Sequence, residues 1–530
     1  MKILVAEKMA DNAIALLKGN PGWEVIVSSQ AEYAAHLGEA EALVVRSAVK
    51  VTKEVLAKAP RLRVIGRAGV GVDNVDMEAA TAAGVLVMNT PGGNAIAVAE
   101  HTIGLMISLA RHIPQASAST KSGQWEKSKF AGSELRGKTL GVLGLGNIGR
   151  EVVQRARAFQ MRVLARDPYV GAALASELGV ELAEVDALYA QSDYVTLHLA
   201  VTDETRGMIN AAALEKMKRG VRIVNCARGE LVVAADLLAA LRSGKVAGAA
   251  LDVFDVEPPA AGNALLAEGN VIATPHIGGS TREAQEEVGV RIVQQLIEYL
   301  QNGVAVNAVN MPALSPEQFR TVGPWLDVAE RLGAFAAHVA EGQPGSVRFV
   351  YYGKVADMTT HLLRNAGLAG VVNRYLSQKA NLVNAMQIAG QRGLTVFEQH
   401  DPKSGRLDAI GLELATSSGT VSVEGTLLLD KPRLINVDGI PLEAALDGHI
   451  TFMKNRDVPG VIGHVGTVLG RNQVNIANFA LGRQPGPAPG GAPLCAVAVV
   501  ETDSTVPEFV LTELRQHPAV LLARTVTLNK

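Results

Sequence analysis

The segment 138–160, KTLGVLGLGNIGREVVQRARAFQ, limits the possible folds of this chain more than any other stretch. An apolar run ends in Gly144, Gly146 and Gly149, and an amphipathic stretch follows at once. The spacing G-x-G-x-x-G at such a junction fits a β-strand that turns tightly into an α-helix. The first glycine permits the turn, the second lets a pyrophosphate approach the backbone, and the third lets helix and strand pack closely. The helix N-terminus then presents unpaired N–H groups to the phosphates. A further apolar run, 161–165, leads to Asp167, 18 residues beyond Gly149. A carboxylate there binds ribose hydroxyls and repels a 2′-phosphate, which favours NAD over NADP.

The flanking sequence alternates in the same way. Candidate strands at 3–6, 24–27, 42–45, 63–66 and 85–88 are separated by helix-like stretches such as 11–17 and 53–58. A second block adds strands at 139–143, 161–165, 193–197, 221–225, 247–252 and 271–273, six in all. Alternation of this kind builds parallel sheets covered by helices. Two long helix candidates, 94–112 and 281–300, bracket the second block and predict a dinucleotide-binding domain inserted into the first. Pro312, Pro316 and Pro324 mark a linker, followed by a helix over 317–341. The region to about 438 mixes strands (346–352, 422–428) with a helical centre at 380–389. From 450 a βαββαβ pattern follows, with strands at 450–453, 474–481, 494–502 and 520–528 and helices at 461–470 and 508–516. The proline- and glycine-rich stretch 484–493 reads as a loop between two of these strands.

At 530 residues the chain is too long for one core. A net charge of -2 gives no general reason to bind nucleic acid or an anionic membrane. Cys226 and Cys495 are the only cysteines, which excludes a disulfide framework and fits a reducing compartment. Glu7 and Asp11 interrupt the first apolar stretch, so it does not read as a signal peptide, and a cytoplasmic enzyme is expected.

Ligands of open parallel sheets bind at the carboxyl ends of the strands. In the second block those ends carry RIVNCARGE with Arg228, ALDVFDVEPP with Glu257, and VIATPHIGGS with His276. Oxidising a secondary alcohol requires a base for the hydroxyl proton, and imidazole suits that role near neutral pH. A carboxylate can orient the imidazole, and a guanidinium can clamp a substrate carboxylate. Glu100 and His101 form another acid and imidazole pair, but neighbours on a helix face different ways, so they read as structural. Cations after strands of the first block, Arg46, Lys50 and Arg67, would suit a phosphorylated substrate.

The segments 225–230 (NCARGE), 251–259 (LDVFDVEPP) and 274–281 (TPHIGGST) resemble the signatures of the D-isomer-specific 2-hydroxyacid dehydrogenases. The resemblance covers essentially the whole chain and is strongest to the long members that act on 3-phosphoglycerate. It implies a Rossmann-type domain (93–284) inserted in a flavodoxin-like substrate domain (1–92 and 285–311). An α+β intervening domain (312–438) and an ACT regulatory domain (448–530) would follow. It implies Arg228 as substrate-orienting residue, Glu257 as acidic partner and His276 as proton donor and acceptor. Cofactor contacts would extend to Asn147, Ile148, Cys226, Ala227, Asp252 and Gly278, and substrate contacts to Arg46, Arg67, Gly69 and Asn94. The implied activity is oxidation of 3-phospho-D-glycerate with NAD, the first step of L-serine biosynthesis. Another glycerate or glyoxylate dehydrogenase and an NADH-sensing scaffold are the alternatives.

In the tail, DVPG at 457–460 and VNIANF at 474–479 resemble ACT effector sites, which implies Asn455, Asp457 and Asn475 as ligands of L-serine. Trp125 and Lys127 resemble a segment that relatives extend towards a partner subunit, which implies a homodimer or homotetramer.

Overall fold

The computed structural model describes residues 1–376, 379–403, 407–486 and 494–528. Five strands alternate with helices at the start of the chain: β1 (Lys2–Val5), β2 (Glu24–Val27), β3 (Ala42–Val45), β4 (Val64–Arg67) and β5 (Leu86–Met88). They form one parallel sheet in the order β2-β1-β3-β4-β5, the flavodoxin-like arrangement. The inner strands are covered on both faces. They therefore read as continuous Val/Ile/Leu runs rather than as alternating patterns.

The apolar helix Ala95–Arg111 leads into a second sheet. Its strands are β6 (Thr139–Leu143), β7 (Arg162–Arg166), β8 (Glu181–Leu182), β9 (Tyr194–Leu197), β10 (Val221–Asn225), β11 (Val246–Leu251) and β12 (Val271–Ala273). All are parallel, in the order β12-β11-β10-β9-β6-β7-β8. The six expected strands are present. The seventh, β8, has two residues, both exposed, and so carries no apolar run to reveal it. Strand order reverses between β6 and β9, and a crevice at such a switch point is where these sheets bind ligands.

The helix Arg282–Asn302 returns to the first sheet, packing Val288, Ile292, Val293, Leu296 and Leu300 with Ile3, Val5, Val64 and Leu86. Beyond it the Val87 N–H donates to Asn310 Oδ1 at 2.9 Å, and the Val309 N–H donates to Val87 O at 2.8 Å. The two sheets are separate, and the chain passes to the second after β5 and returns to the first with the helix Arg282–Asn302.

Ser315 and Gln318 form a reciprocal cap on the helix Pro316–Val339. Pro324 lies inside this helix, not in the linker that the sequence predicts. A six-stranded sheet follows, built from β13 (Pro344–Tyr352), β14 (Thr395–Asp401), β15 (Ala409–Thr416), β16 (Gly419–Leu428), β17 (Lys431–Val437) and β18 (Ile440–Ala445). Its order is β14-β13-β15-β16-β17-β18, and it runs past the expected limit of 438 because β18 pairs with β17. Only β13 and β16 are predicted from the sequence; β14, TVFEQHD, is too polar to read as a buried strand. The helix Thr360–Asn373 is also missed. Its Gly367 and Gly370 lower its intrinsic helicity, yet they let it press against the 316–339 helix, where a Cβ on Gly370 would collide with the Glu330 carbonyl.

The last unit is the expected βαββαβ: β19 (Gly448–Arg456), helix Val461–Arg471, β20 (Ile476–Arg483), β21 (Cys495–Thr502), helix Glu508–Leu514 and β22 (Val520–Leu528). Its antiparallel sheet has the order β20-β21-β19-β22. Of the loop expected at 484–493, residues 487–493 lie outside the described residues. Among the described residues no helix is long and apolar enough to cross a membrane.

Candidate active site

The three glycines do different work. Gly144 has φ +96°, and a Cβ there would collide with the His198 carbonyl at the end of β9. A Cβ on Gly149 would collide with the Gly144 carbonyl, so the helix Asn147–Ala158 seats directly on the turn. A Cβ on Gly146 would meet nothing within 4 Å. The open space thus lies before Gly146 at the helix N-terminus, as a pyrophosphate requires. Asp167 follows β7, and its carboxylate accepts from the Leu145 N–H at 2.8 Å and the Tyr169 N–H at 2.9 Å. It therefore ties the strand end to the glycine turn. Arg166 leans to Glu184 at 3.6 Å. Asn147 rests beside Gly92, where a Cβ would stand 3.1 Å from its Nδ2, and Ile148 packs into the core.

Beneath this turn His198 is half-buried, and desolvation pushes its imidazole down to about 4. Its Nε2 lies 3.1 Å from Thr196 Oγ1, and its Nδ1 has no hydrogen-bond partner.

The end of β10 is held by Asn225, which accepts from the Ala227 N–H at 3.0 Å and donates to Arg228 O at 2.8 Å. Cys226 is buried, and desolvation pushes its thiol up to about 12, so it offers backbone and bulk rather than a nucleophile. Asp252, at the end of β11, is 1% exposed. Burial disfavours its charge, but His101, the Thr274 hydroxyl and the N–H groups of Ile277 and Gly278 more than offset that and hold its carboxyl below the usual range. The Thr274 hydroxyl donates at 2.6 Å, and the Ile277 and Gly278 N–H groups donate at 2.9 and 2.8 Å. His101 Nε2 stands 3.3 Å from Asp252 and 3.1 Å from Thr274 Oγ1, while Glu100 points instead to Arg155 at 3.4 Å. Asp252 therefore fixes the 274–278 loop.

That loop carries His276, which has φ 52°. Its Nδ1 is 2.7 Å from Glu257 Oε2, and Glu257 Oε1 accepts from the Phe254 N–H at 3.1 Å. The pair is half-exposed, with side chains 50% and 37% accessible. Arg228, after β10, donates through Nη1 to Ala227 O at 2.7 Å and through Nε to Asp73 at 3.1 Å.

Asp73 belongs to the first domain, so Arg228 spans the cleft. Val45 at the end of β3 is in register with Arg67 at the end of β4, which brings Arg46 and Arg67 to one edge. Glu7 accepts from the N–H groups of Arg46 and Val49, and Asn74 donates to the carbonyls of Arg46 and Val49, fixing this loop. Burial lowers the affinity of Arg67 for its proton, and the nearby charge of Arg228 adds to this. The Arg67 side chain lies over Gly69, which has φ +147°. Asn94 precedes the 95–111 helix without capping it and lies against Gly279, its Oδ1 buried and unpartnered.

Residues 103–278 match the D-isomer specific 2-hydroxyacid dehydrogenase NAD binding domain, and residues 321–438 match the D-3-phosphoglycerate dehydrogenase intervening domain. The chain is 42% identical to D-3-phosphoglycerate dehydrogenase of Archaeoglobus fulgidus over 532 residues, covering all of both chains. It is 36% identical to the enzyme of the same name from Bacillus subtilis, covering 99% of each. The chain belongs to the D-3-phosphoglycerate dehydrogenase family.

Solved structures agree for the catalytic part. The TT0316 protein of Thermus thermophilus superposes with a TM-score of 0.53 at 35% identity, covering 58% of this chain and 100% of that one. The NAD-dependent formate dehydrogenase of Staphylococcus aureus in complex with NAD gives a TM-score of 0.51 at 28% identity, covering 57% and 96%. Both D-3-phosphoglycerate dehydrogenase relatives align with the chain essentially end to end, and the chain is an NAD-dependent oxidoreductase.

In the last domain the expected effector residues divide. Asn455 and Asp457 line one cavity of about 40 Å³ with Val461 and Phe479. Asn455 is buried with its Oδ1 unpartnered, and Asp457 accepts from Arg483 Nε at 2.7 Å. Asn475 instead precedes β20 and donates to Asp503 at 2.8 Å. Ile476 pairs with Thr502 while Asn455 pairs with Ala496, so Asn475 sits at the opposite end of the same sheet. Sequence reasoning also misses Asp73, Asn74, Asn225 and Thr274. Their only signal is position at a strand end or on the loop beyond it, which other polar loop residues share.

Proposed function

We propose that the chain oxidises 3-phospho-D-glycerate to 3-phosphohydroxypyruvate with NAD, the first step of L-serine biosynthesis. One observation carries the reading: His276, backed by Glu257 at 2.7 Å, stands at the same sheet edge as the glycine turn and Arg228. In this mechanism His276 takes the substrate's hydroxyl proton through Nε2. Glu257 on Nδ1 holds the ring's tautomer and stabilises the imidazolium that forms. Arg228 grips the carboxylate, and Arg46 and Arg67, with Gly69 and Asn94, receive the phosphate end. NAD, when bound, accepts the hydride released from the reacting carbon. Gly144, Gly146, Asn147, Ile148 and Gly149 would hold its pyrophosphate, Asp167 its ribose, and Cys226, Ala227, Asp252 and Gly278 its nicotinamide end.

Relatives of that name, aligned end to end, support the substrate. In this reading residues 1–92 and 285–311 bind substrate and 93–284 bind NAD. The 316–445 region is the intervening domain, and 448–530 form an ACT domain that senses L-serine. Because Asn475 lies far from Asn455 and Asp457 within one chain, a complete effector site requires a second copy, which fits a homodimer or homotetramer. Trp125, 85% exposed, is available for such a contact.

The test is NADH formation from 3-phosphoglycerate, D-glycerate and D-lactate, with and without L-serine. The highest kcat/KM is expected for 3-phosphoglycerate. A higher value for an unphosphorylated acid overturns the substrate assignment, and no turnover of any of them leaves the NADH-binding scaffold. Serine without effect on rate or Tm removes the effector reading.

A further inference from the structure

Asp73 lies on the loop after β4, in the first domain, and Arg228 follows β10 in the second. Yet Asp73 Oδ2 stands 2.9 Å from Nη2 and 3.1 Å from Nε of Arg228. It thus occupies one whole edge of the guanidinium fork, while Nη1 is held by Ala227 O at 2.7 Å. Arg67 lies close enough for its charge to feel both groups, and its buried Nε has no hydrogen-bond partner. Two guanidinium groups therefore share the cleft, and Asp73 is the carboxylate paired with one of them. The fit is close: a Cβ on Gly71 would collide with Arg228 Nη2 and come within 2.7 Å of Asp73 Oδ2.

We infer that Asp73 is a positioning residue, which reaches across the cleft to aim Arg228 at the substrate carboxylate and to screen it from Arg67. The inference rests on reading Arg228 as the carboxylate clamp. It concerns the carboxylate end only, and this gives it a signature distinct from any phosphate contact. Asp73 is 73% exposed, so its loss leaves no buried charge and the fold stands.

The experiment compares the wild-type protein with Asp73→Asn, Asp73→Glu and Gly71→Ala. Kinetics are measured on 3-phosphoglycerate and D-glycerate, and oxalate binding to the NADH-loaded protein is followed by NADH fluorescence. Asp73→Asn should raise KM about five- to tenfold for both acids by the same factor and weaken oxalate to a similar degree, a fraction of what a charged hydrogen bond is worth. Gly71→Ala, which keeps the carboxylate but displaces the fork, should show the same loss, and Asp73→Glu should restore most of it. Unchanged or tighter oxalate binding in Asp73→Asn overturns the inference, as does a loss confined to the phosphorylated acid. If the wild-type protein turns over neither acid but Asp73→Asn still weakens oxalate, the substrate assignment fails and the positioning role stands.

Discussion

Glu257 and His276 meet at 2.7 Å although one follows β11 and the other β12. The contact depends on the turn at Pro275–Ile277, which Asp252 pins from beneath through the Ile277 N–H at 2.9 Å. Acid, imidazole and anchor all stand at the carboxyl end of one sheet.

Replacing His276 with Gln should lower kcat by about 10²- to 10⁴-fold, the usual worth of a positioned general base. Glu257→Gln should cost about ten- to a hundredfold, because it removes a charged hydrogen bond and leaves the base in place. Steady-state kinetics with NAD saturating measure both. Equal losses in the two variants would show that Glu257 and His276 act as one unit, and that Glu257 does more than orient the ring.

Gly146 and Gly149 should separate cofactor binding from folding. A methyl group at Gly146 meets nothing in the protein, so Gly146→Ala should keep its Tm while NADH affinity falls. At Gly149 the same methyl strikes the Gly144 carbonyl, so Gly149→Ala should lower Tm as well. Thermal melts beside NADH titrations decide it, and equal melting temperatures for the two would contradict the packing described.

Arg46 is joined to the protein through a 3.4 Å contact of Nη1 with Lys8 O, leaving most of its fork for a ligand. Arg46→Ala should raise KM for 3-phosphoglycerate at least tenfold more than KM for D-glycerate. Equal losses would take the phosphate away from this arginine.

His198, half-buried with its Nδ1 enclosed and unpartnered, makes stability depend on pH. Its folded value of about 4 lies below the ordinary 6.5, so the unfolded chain binds the proton more tightly between these limits. The contribution is complete above pH 6.5 and is lost as the pH falls towards 4, about 3 kcal/mol in all. Asp252 adds a separate loss only below the ordinary carboxylate range, since its folded value is lowered. Denaturant melts at pH 7.5 and 5 should show a smaller drop for His198→Asn than for the wild-type protein.

The parallel sheets, the insertion of the second sheet and the placement of Arg228, Glu257 and His276 at its strand ends are legible in the sequence because each has a local cause. Val/Ile/Leu runs such as 42–45 and 221–225 mark strands buried on both faces, and the glycine spacing marks a turn whose geometry few other residues permit. Arg228, Glu257 and His276 stand just after such runs, so the strand ends locate them. Chain-distant pairings are what only the tertiary structure decides. β14 and β17 carry mixed polar sequences and become strands because neighbours pair with them, and Pro324 is absorbed by a helix whose packing outweighs one missing hydrogen bond. The separation of Asn475 from Asn455, and the reach of Asp73 across the cleft to Arg228, follow from register and domain docking. No local pattern encodes either, because the partners lie 20 and 155 residues apart and meet or part only once the sheets have formed.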